Sequence, residues 1–276
     1  MVAGAAAGMV EHLSMYPIDT IKTRMQALSQ PGAQLSNSTL LALRTVVRRE
    51  GMLGLYKGFN AMAWGVGPAH AVYFATYEGA KEALGGNQPG HQVLATGAAG
   101  ALATVAADAV MTPLDVVKQR LQLANTPYKG MLDCFVKMLK HEGPGAFYRS
   151  YQTTLVMNIP FTAVHFATYE SSKLSLNMGE EDEGIGVQMT AGGLAGGAAA
   201  AITNPLDVAK TRLQTEGVSS KTRYGGGVSG VLRQIYREEG LGGLTRGLRP
   251  RVMFHVPAAA VCWATYEYGK ALLGAK

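Results

Sequence analysis

One phrase occurs three times in this chain: PIDTIKTRMQ from Pro17, PLDVVKQRLQ from Pro113 and PLDVAKTRLQ from Pro205. The copies stand 96 and 92 residues apart, so the 276 residues form a threefold repeat and little else. Each copy sets an acid two residues after the proline, a base three further on, then Arg and Gln at alternate positions. Proline removes a helical hydrogen bond and kinks the helix, and an acid and a base at i and i+3 share one face. A kinked helix end carrying one of each, used three times, can close a ring of ion pairs. That is the geometry of a gate.

A second triplet answers the first: YEGAK from Tyr77, YESSK from Tyr169 and YEYGK from Tyr266, each about 60 residues after its proline. A third echo, EGMLGLYKG, EGPGAFYRS and EGLGGLTRG from Glu50, Glu142 and Glu239, marks a short amphipathic stretch between them. The predicted unit is long helix, loop, short surface helix, long helix, in one domain with repeats at 1–88, 89–180 and 181–276.

Composition favours a membrane. Of the residues, 47% are apolar and only 16% charged, with 35 glycines. Apolar stretches at roughly 1–18, 60–76, 93–114, 152–168, 187–206 and 252–266 approach the 17–25 residues that a bilayer requires. Each carries a polar residue or abuts a charged belt, as helices around an aqueous interior do. Small-residue runs such as Gly4/Gly8, Gly97/Gly100 and Gly192/Gly196 permit close helix contact. A soluble helical bundle would leave the doubled charge belts unexplained. Of 25 Lys and Arg, 21 fall in 18–57, 114–149 and 206–251, all on one side of a six-span topology. The basic excess therefore reads as positive-inside topology, with both termini on the other side and no nucleic-acid surface.

The three PxDxx[KR]xRxQ and three YExxK phrases resemble the signature of the mitochondrial carrier family over the whole chain. The resemblance implies an all-α membrane protein: a monomeric, pseudo-threefold barrel of six transmembrane helices with three short matrix helices. It would lie in the mitochondrial inner membrane, termini toward the intermembrane space, and move solutes by alternating access. By the same resemblance a matrix gate pairs Asp19 with Lys118, Asp115 with Lys210 and Lys22 with Asp207, braced by Gln26, Gln122 and Gln214. A cytoplasmic gate pairs Lys81 with Glu170, Lys173 with Glu267 and Glu78 with Lys270, braced by Tyr77, Tyr169 and Tyr266. Tyr56, Lys57 and Gly58, with Tyr148, Arg149, Arg246 and Gly247, resemble the family's cardiolipin-binding turns, where helix N-termini meet lipid phosphate.

Helical phase locates the cavity. Stepping back about 3.6 residues at a time from Glu78 and Lys81 passes Tyr73, His70 and Gly65. From Glu170 it passes His165 and ends at Met157 and Asn158; from Glu267 it passes near Cys262 and ends at Phe254 and His255. On the first helix of each repeat, positions four and seven before the gate aspartate are Met15 and His12, Met111 and Asp108, and Thr203 and Ala200. The resulting set holds His12, His70, His165, His255, Met15, Met111, Met157, Cys262, Asn158 and Asp108, with no Lys or Arg at mid-depth. Carriers of phosphates or carboxylates need cationic donors. Imidazole, thioether, thiol and carboxylate are instead transition-metal ligands. No HxxxH or CxxC spacing is present, and a transporter must release its cargo.

EHLSMYPIDTIKTRMQ from Glu11, GPAHAVYFATYE from Gly67 and MNIPFTAVHFATYE from Met157 resemble the iron-importing branch of the family, the mitoferrins. That implies Fe2+ as transported substrate, Mn2+ and other divalents accepted, Met157–Asn158 at the central contact point, and His12 and His70 on the path. No permanently bound cofactor is expected. The alternatives are a carrier of an organic cation or cofactor such as S-adenosylmethionine, a chelated metal, or a proton leak. Enzyme readings fail: GGGVSG from Gly225 lacks a preceding strand and a following acid, and Cys134 and Cys262 imply no disulfide framework.

Overall fold

The computed structural model describes residues 2–27, 38–85, 93–124, 126–176, 185–218, 224–255 and 257, without the side chains of 2–12, 93–94, 176 and 185. Among these residues the fold is helical throughout. The first repeat supplies α1 (Val2–Gln26), α2 (Thr39–Glu50) and α3 (Phe59–Ala83); the second α4 (Val93–Gln122), α5 (Met131–Glu142) and α6 (Tyr151–Leu176). The third supplies α7 (Ile185–Ile202), α8 (Asn204–Thr215), α9 (Gly227–Leu244) and α10, residues 248–255.

The repeated proline acts in two ways. Pro17 and Pro113 lie inside α1 and α4. Pro205 starts α8 after a break at Thr203, where its missing N–H costs nothing because first-turn donors are unpaired anyway. Asn204 closes the break by donating Nδ2 to Leu244 O at 2.8 Å.

α2 and α5 end at the glutamate of the third echo, and α9 kinks at Gly240 just after its own, so the echo marks a helix end rather than a helix body. Gly51, Gly143 and Gly240 follow with φ of 74°, 78° and 67°, a region open to glycine and costly for other residues. GGGVSG is a loop-to-helix transition, since α9 starts at Gly227.

Each short helix seals a local core against the long helix of its repeat. These are Ile21, Ala42, Val46 and Leu55 in the first, Val116, Val117, Cys134, Met138 and Phe147 in the second, and Val208, Leu213, Val231 and Ile235 in the third. At about 1.5–3 kcal/mol per large apolar side chain, these cores fix the helix ends bearing the acid–base phrases. α1, α4 and α8 touch one another pairwise, α3 runs along α4, and α6 along α7. Trp64, Phe74, Ile159, Phe166 and Leu174 stay exposed, an apolar surface of the kind that meets lipid rather than water.

Among the described residues one helix segment, Ala95–Gln122, is long and apolar enough to cross a membrane by itself.

Candidate functional site

The ends of α1, α4 and α8 carry three ion pairs between neighbouring helices. Lys22 Nζ lies 2.8 Å from Asp207 Oδ2, Lys118 Nζ 2.8 Å from Asp19 Oδ2, and Lys210 Nζ 3.7 Å from Asp115 Oδ2. The ring thus joins α1 to α8, α4 to α1 and α8 to α4. Two of the glutamines brace it. Gln26 donates to Asp207 at 2.7 Å and Gln122 to Asp19 at 3.1 Å. Thr211 and Thr23 in turn donate to the carbonyls of those amides at 2.9 Å. Gln214 makes no such contact: its buried Oε1 has no partner. The reason lies in the sequence, where Gln119 stands at the position of Thr23 and Thr211.

Beside this ring runs a second one that sequence reading missed. Arg24, Arg120 and Arg212, the arginine of each phrase, are buried and pair with Glu50, Glu142 and Glu239, the glutamate of each echo. Each guanidinium also donates Nε to the backbone carbonyl of the next repeat's brace: Arg24 to Gln122 at 2.7 Å, Arg120 to Gln214 at 3.0 Å, Arg212 to Gln26 at 3.3 Å. Burial opposes ionisation of Glu50 and Glu239, but the hydrogen bonds from Arg24 and Arg212 win and hold both carboxyls below their ordinary range. The signal was available, since both partners recur three times, but they lie about 26 residues apart in the chain and no helical spacing links them.

Above the ring, Asn158 Nδ2 donates to Asp108 Oδ2 at 2.8 Å, joining α6 to α4. Next to Asn158, Met157 Sδ lies 3.8 Å from Arg251 Nη2. This corrects the expectation of no cation at mid-depth. Arg251 is buried, bonds Thr203 Oγ1 at 2.8 Å, and pairs with Asp207 at 2.8 Å. Phase analysis follows backbone position, whereas a long side chain carries its charge well away from it. Met157, next to Asn158 in the chain, is therefore linked to the ring carboxylate Asp207 through one guanidinium.

The other predicted ligands are distributed around this level. Met15 is buried and Met111 half-buried. Gly65 leaves room for Met111, whose Sδ lies 2.8 Å from where a Cβ would stand. His70 is exposed, with Nδ1 2.8 Å from Val66 O. His165 stacks between Phe161 and Tyr169, and Phe161 also touches the His255 ring at 5.5 Å. His255 packs against Gly196 of α7. The side chain of His12, and Cys262, Tyr266, Glu267 and Lys270, lie outside the described residues. Among those described, no three His, Cys, Asp or Glu side chains gather at one point.

Of the second charged belt, one expected pair, Lys81 and Glu170, lies wholly within the described residues. Glu78 and Glu170 are exposed, and among the described residues no ion pair joins Lys81 to Glu170. Tyr77 stacks on Tyr73, and Lys173 lies 5.5 Å over the Tyr169 ring.

The basic residues assigned to lipid already hold carboxylates: Lys57 with Glu50 at 2.7 Å, Arg149 with Glu216 at 3.1 Å, Arg246 with Glu239 at 3.2 Å. Tyr56 stacks on Tyr16, Tyr148 meets Tyr151 edge-on, and Gly247 abuts Gln26. Gly58, at φ 84°, begins α3 where a Cβ would lie 2.8 Å from Lys118 O. Lys57 and Gly58 line a groove of about 340 Å³ with Lys129 and Gly130 of the next repeat.

The family model described as "Mitochondrial carrier protein" matches residues 1–88, 90–180 and 181–276. A protein named Mitoferrin from Dictyostelium discoideum is 45% identical over 291 residues, covering 99% of this chain and 94% of the relative. Mitoferrin-1 of Homo sapiens is 45% identical, covering 99% and 82%, and Mitoferrin-2 of Homo sapiens 43%, covering 99% and 76%.

Proposed function

The chain belongs to the mitochondrial carrier family, and from that premise we propose that it carries ferrous iron across the mitochondrial inner membrane into the matrix. The relatives named mitoferrin support iron as cargo. The observation that carries the reading is the donor set above the ion-pair ring: the Asp108 carboxylate held by Asn158, with the Met157 thioether beside it. Carboxylate and thioether together suit a divalent transition metal, and their separation onto different helices suits a cargo that must be released.

The cycle is alternating access in a six-helix barrel, Fe2+ being substrate and no cofactor being held. The Asp19–Lys118, Asp115–Lys210 and Asp207–Lys22 contacts, with no ion pair between Lys81 and Glu170 among the described residues, support reading this state as the form open toward the intermembrane space. Exposed ion pairs are worth at most about 1 kcal/mol each. Two gates of similar strength leave two near-degenerate states, and cargo selects between them only through differential binding. Cardiolipin phosphate is assigned to the groove at Lys57, Gly58, Lys129 and Gly130, and the working unit is the monomer with both termini in the intermembrane space.

A second reading, an organic cation such as S-adenosylmethionine, draws on Asp108 and the ring contacts Phe161–His255 and Phe254–His255. Purified protein in cardiolipin liposomes decides between them. Saturable uptake of labelled Fe2+ under reducing conditions, with none of labelled S-adenosylmethionine, supports iron. The converse result transfers the function to the organic cation.

A further inference from the structure

The three gate carboxylates are held unequally. Asp207 has Lys22 and Arg251 at 2.8 Å and Gln26 at 2.7 Å, and its side chain is 7% exposed. Asp19 has Lys118 at 2.8 Å and Gln122 at 3.1 Å, and is 14% exposed. Asp115 has only Lys210, at 3.7 Å, and is 26% exposed; no amide among the described residues reaches it. The brace that would complete it is missing, because Gln119 replaces threonine and the Oε1 atoms of Gln119 and Gln214 are buried without partners.

The weakly held carboxylate is also the one with metal donors above it. Asp115, Met111, Met62 and Asp19 line a cavity of about 170 Å³ between α1, α3, α4 and α10. Asp108, Met111 and Asp115 stand at i, i+3 and i+7, a single stripe of α4 that descends about 10 Å at 1.5 Å per residue. Its upper end is the carboxylate that holds Asn158. The corresponding stripe of the third repeat, Ala200, Thr203 and Asp207, offers one carboxylate and no sulfur. In the first repeat, His12, Met15 and Asp19 end on a carboxylate that Lys118 and Gln122 already hold.

We propose that Asp115 is a cargo ligand: the cation moves down the α4 stripe, binds the Asp115 carboxylate with the Met111 thioether, and displaces Lys210, so that the cargo opens the weakest pair of the gate. At equal distance a divalent ion has twice the Coulomb attraction of an ammonium for a carboxylate, and Lys118, the cation among the residues lining this cavity, is already paired with Asp19. The inference rests on the reading of the cargo as a divalent metal and names where that metal acts on the gate.

Equilibrium binding of Fe2+ alone, measured anaerobically on the full chain in detergent with cardiolipin, tests it. Asp115→Asn should weaken binding about tenfold, whereas Lys210→Gln, which breaks the same ion pair from the other side, should tighten it severalfold. A purely structural gate moves both variants in the same direction, and that result, or Asp115→Asn binding like the parent, overturns the proposal. If Asp115→Asn fails to fold, Lys210→Gln alone decides: unchanged or weakened binding overturns the proposal. A parent that binds no Fe2+ overturns the metal reading itself, an outcome distinct from either.

Discussion

Arg120 contacts four groups at once: the Glu142 carboxylate, the Gln214 and Glu216 carbonyls and the Tyr128 hydroxyl, all with its guanidinium buried. Removing one partner of a buried pair strands the other, at about 3–5 kcal/mol. Arg120→Ala should therefore lower the thermal midpoint by many degrees, whereas Lys137→Ala, which breaks an exposed i,i+4 pair with Asp133, should leave it where it was. Cys134 illustrates burial without a charged partner, its thiol meeting the Met138 sulfur at 3.8 Å. Desolvation in the α5 core, outside the membrane-spanning helices, pushes its thiol up to about 12. Above the ordinary thiol pKa of about 8.5 the unfolded chain releases this proton and the folded chain keeps it, so stability falls as pH rises from about 9. Between pH 9 and 11 the melting temperature of the parent should drop more steeply than that of Cys134→Ala. Parallel curves for the two would show that the thiol is not buried as described.

Among the elements, α4 and α8 show what repetition made legible and what it concealed. The three acid–base contacts expected from the phrase are present in the structure, because an i,i+3 pair on a helix end has few places to go once three such ends meet. The first four apolar stretches coincide with α1, α3, α4 and α6 and the fifth with α7 and the start of α8, while most of the sixth, 252–266, lies outside the described residues. The break at Thr203 was not legible, since Pro205 sits in the same phrase as Pro17 and Pro113; the difference arises from tertiary contacts, with Asn204 reaching the Leu244 and Arg246 carbonyls. The Arg–Glu ring and Arg251 escaped for a related reason, as both depend on how far a long side chain reaches between elements. The missing brace was written in a single letter, Gln119, but its meaning required knowing that Thr23 and Thr211 serve the neighbouring repeat's glutamine. Gln119→Thr should supply the absent donor to Gln214, add about 1 kcal/mol of stability and slow transport by strengthening the closed gate. An unchanged melting temperature would show that the third brace is unnecessary.

For the whole molecule, three repeats built from one plan differ in the side chains at the proposed cargo path. The ion pairs, the Arg–Glu contacts and the small cores recur in all three, and they set the ends of the helices. Among the candidate donors the methionine recurs, as Met15 and Met111, but the rest do not: His12 and His70 belong to the first repeat, Asp108, Met157, Asn158 and His165 to the second, and the third contributes His255 and Cys262. On the proposed reading, symmetry would account for the gate and its departures for selectivity. The most direct test of that division is uptake of labelled Fe2+ by the reconstituted parent beside a His12→Ala/His70→Ala/Met157→Ala variant whose melting temperature shows it to be folded. Saturable uptake in the parent and background uptake in the variant is the predicted result; equal uptake in both would contradict the assignment of these side chains to the cargo's path.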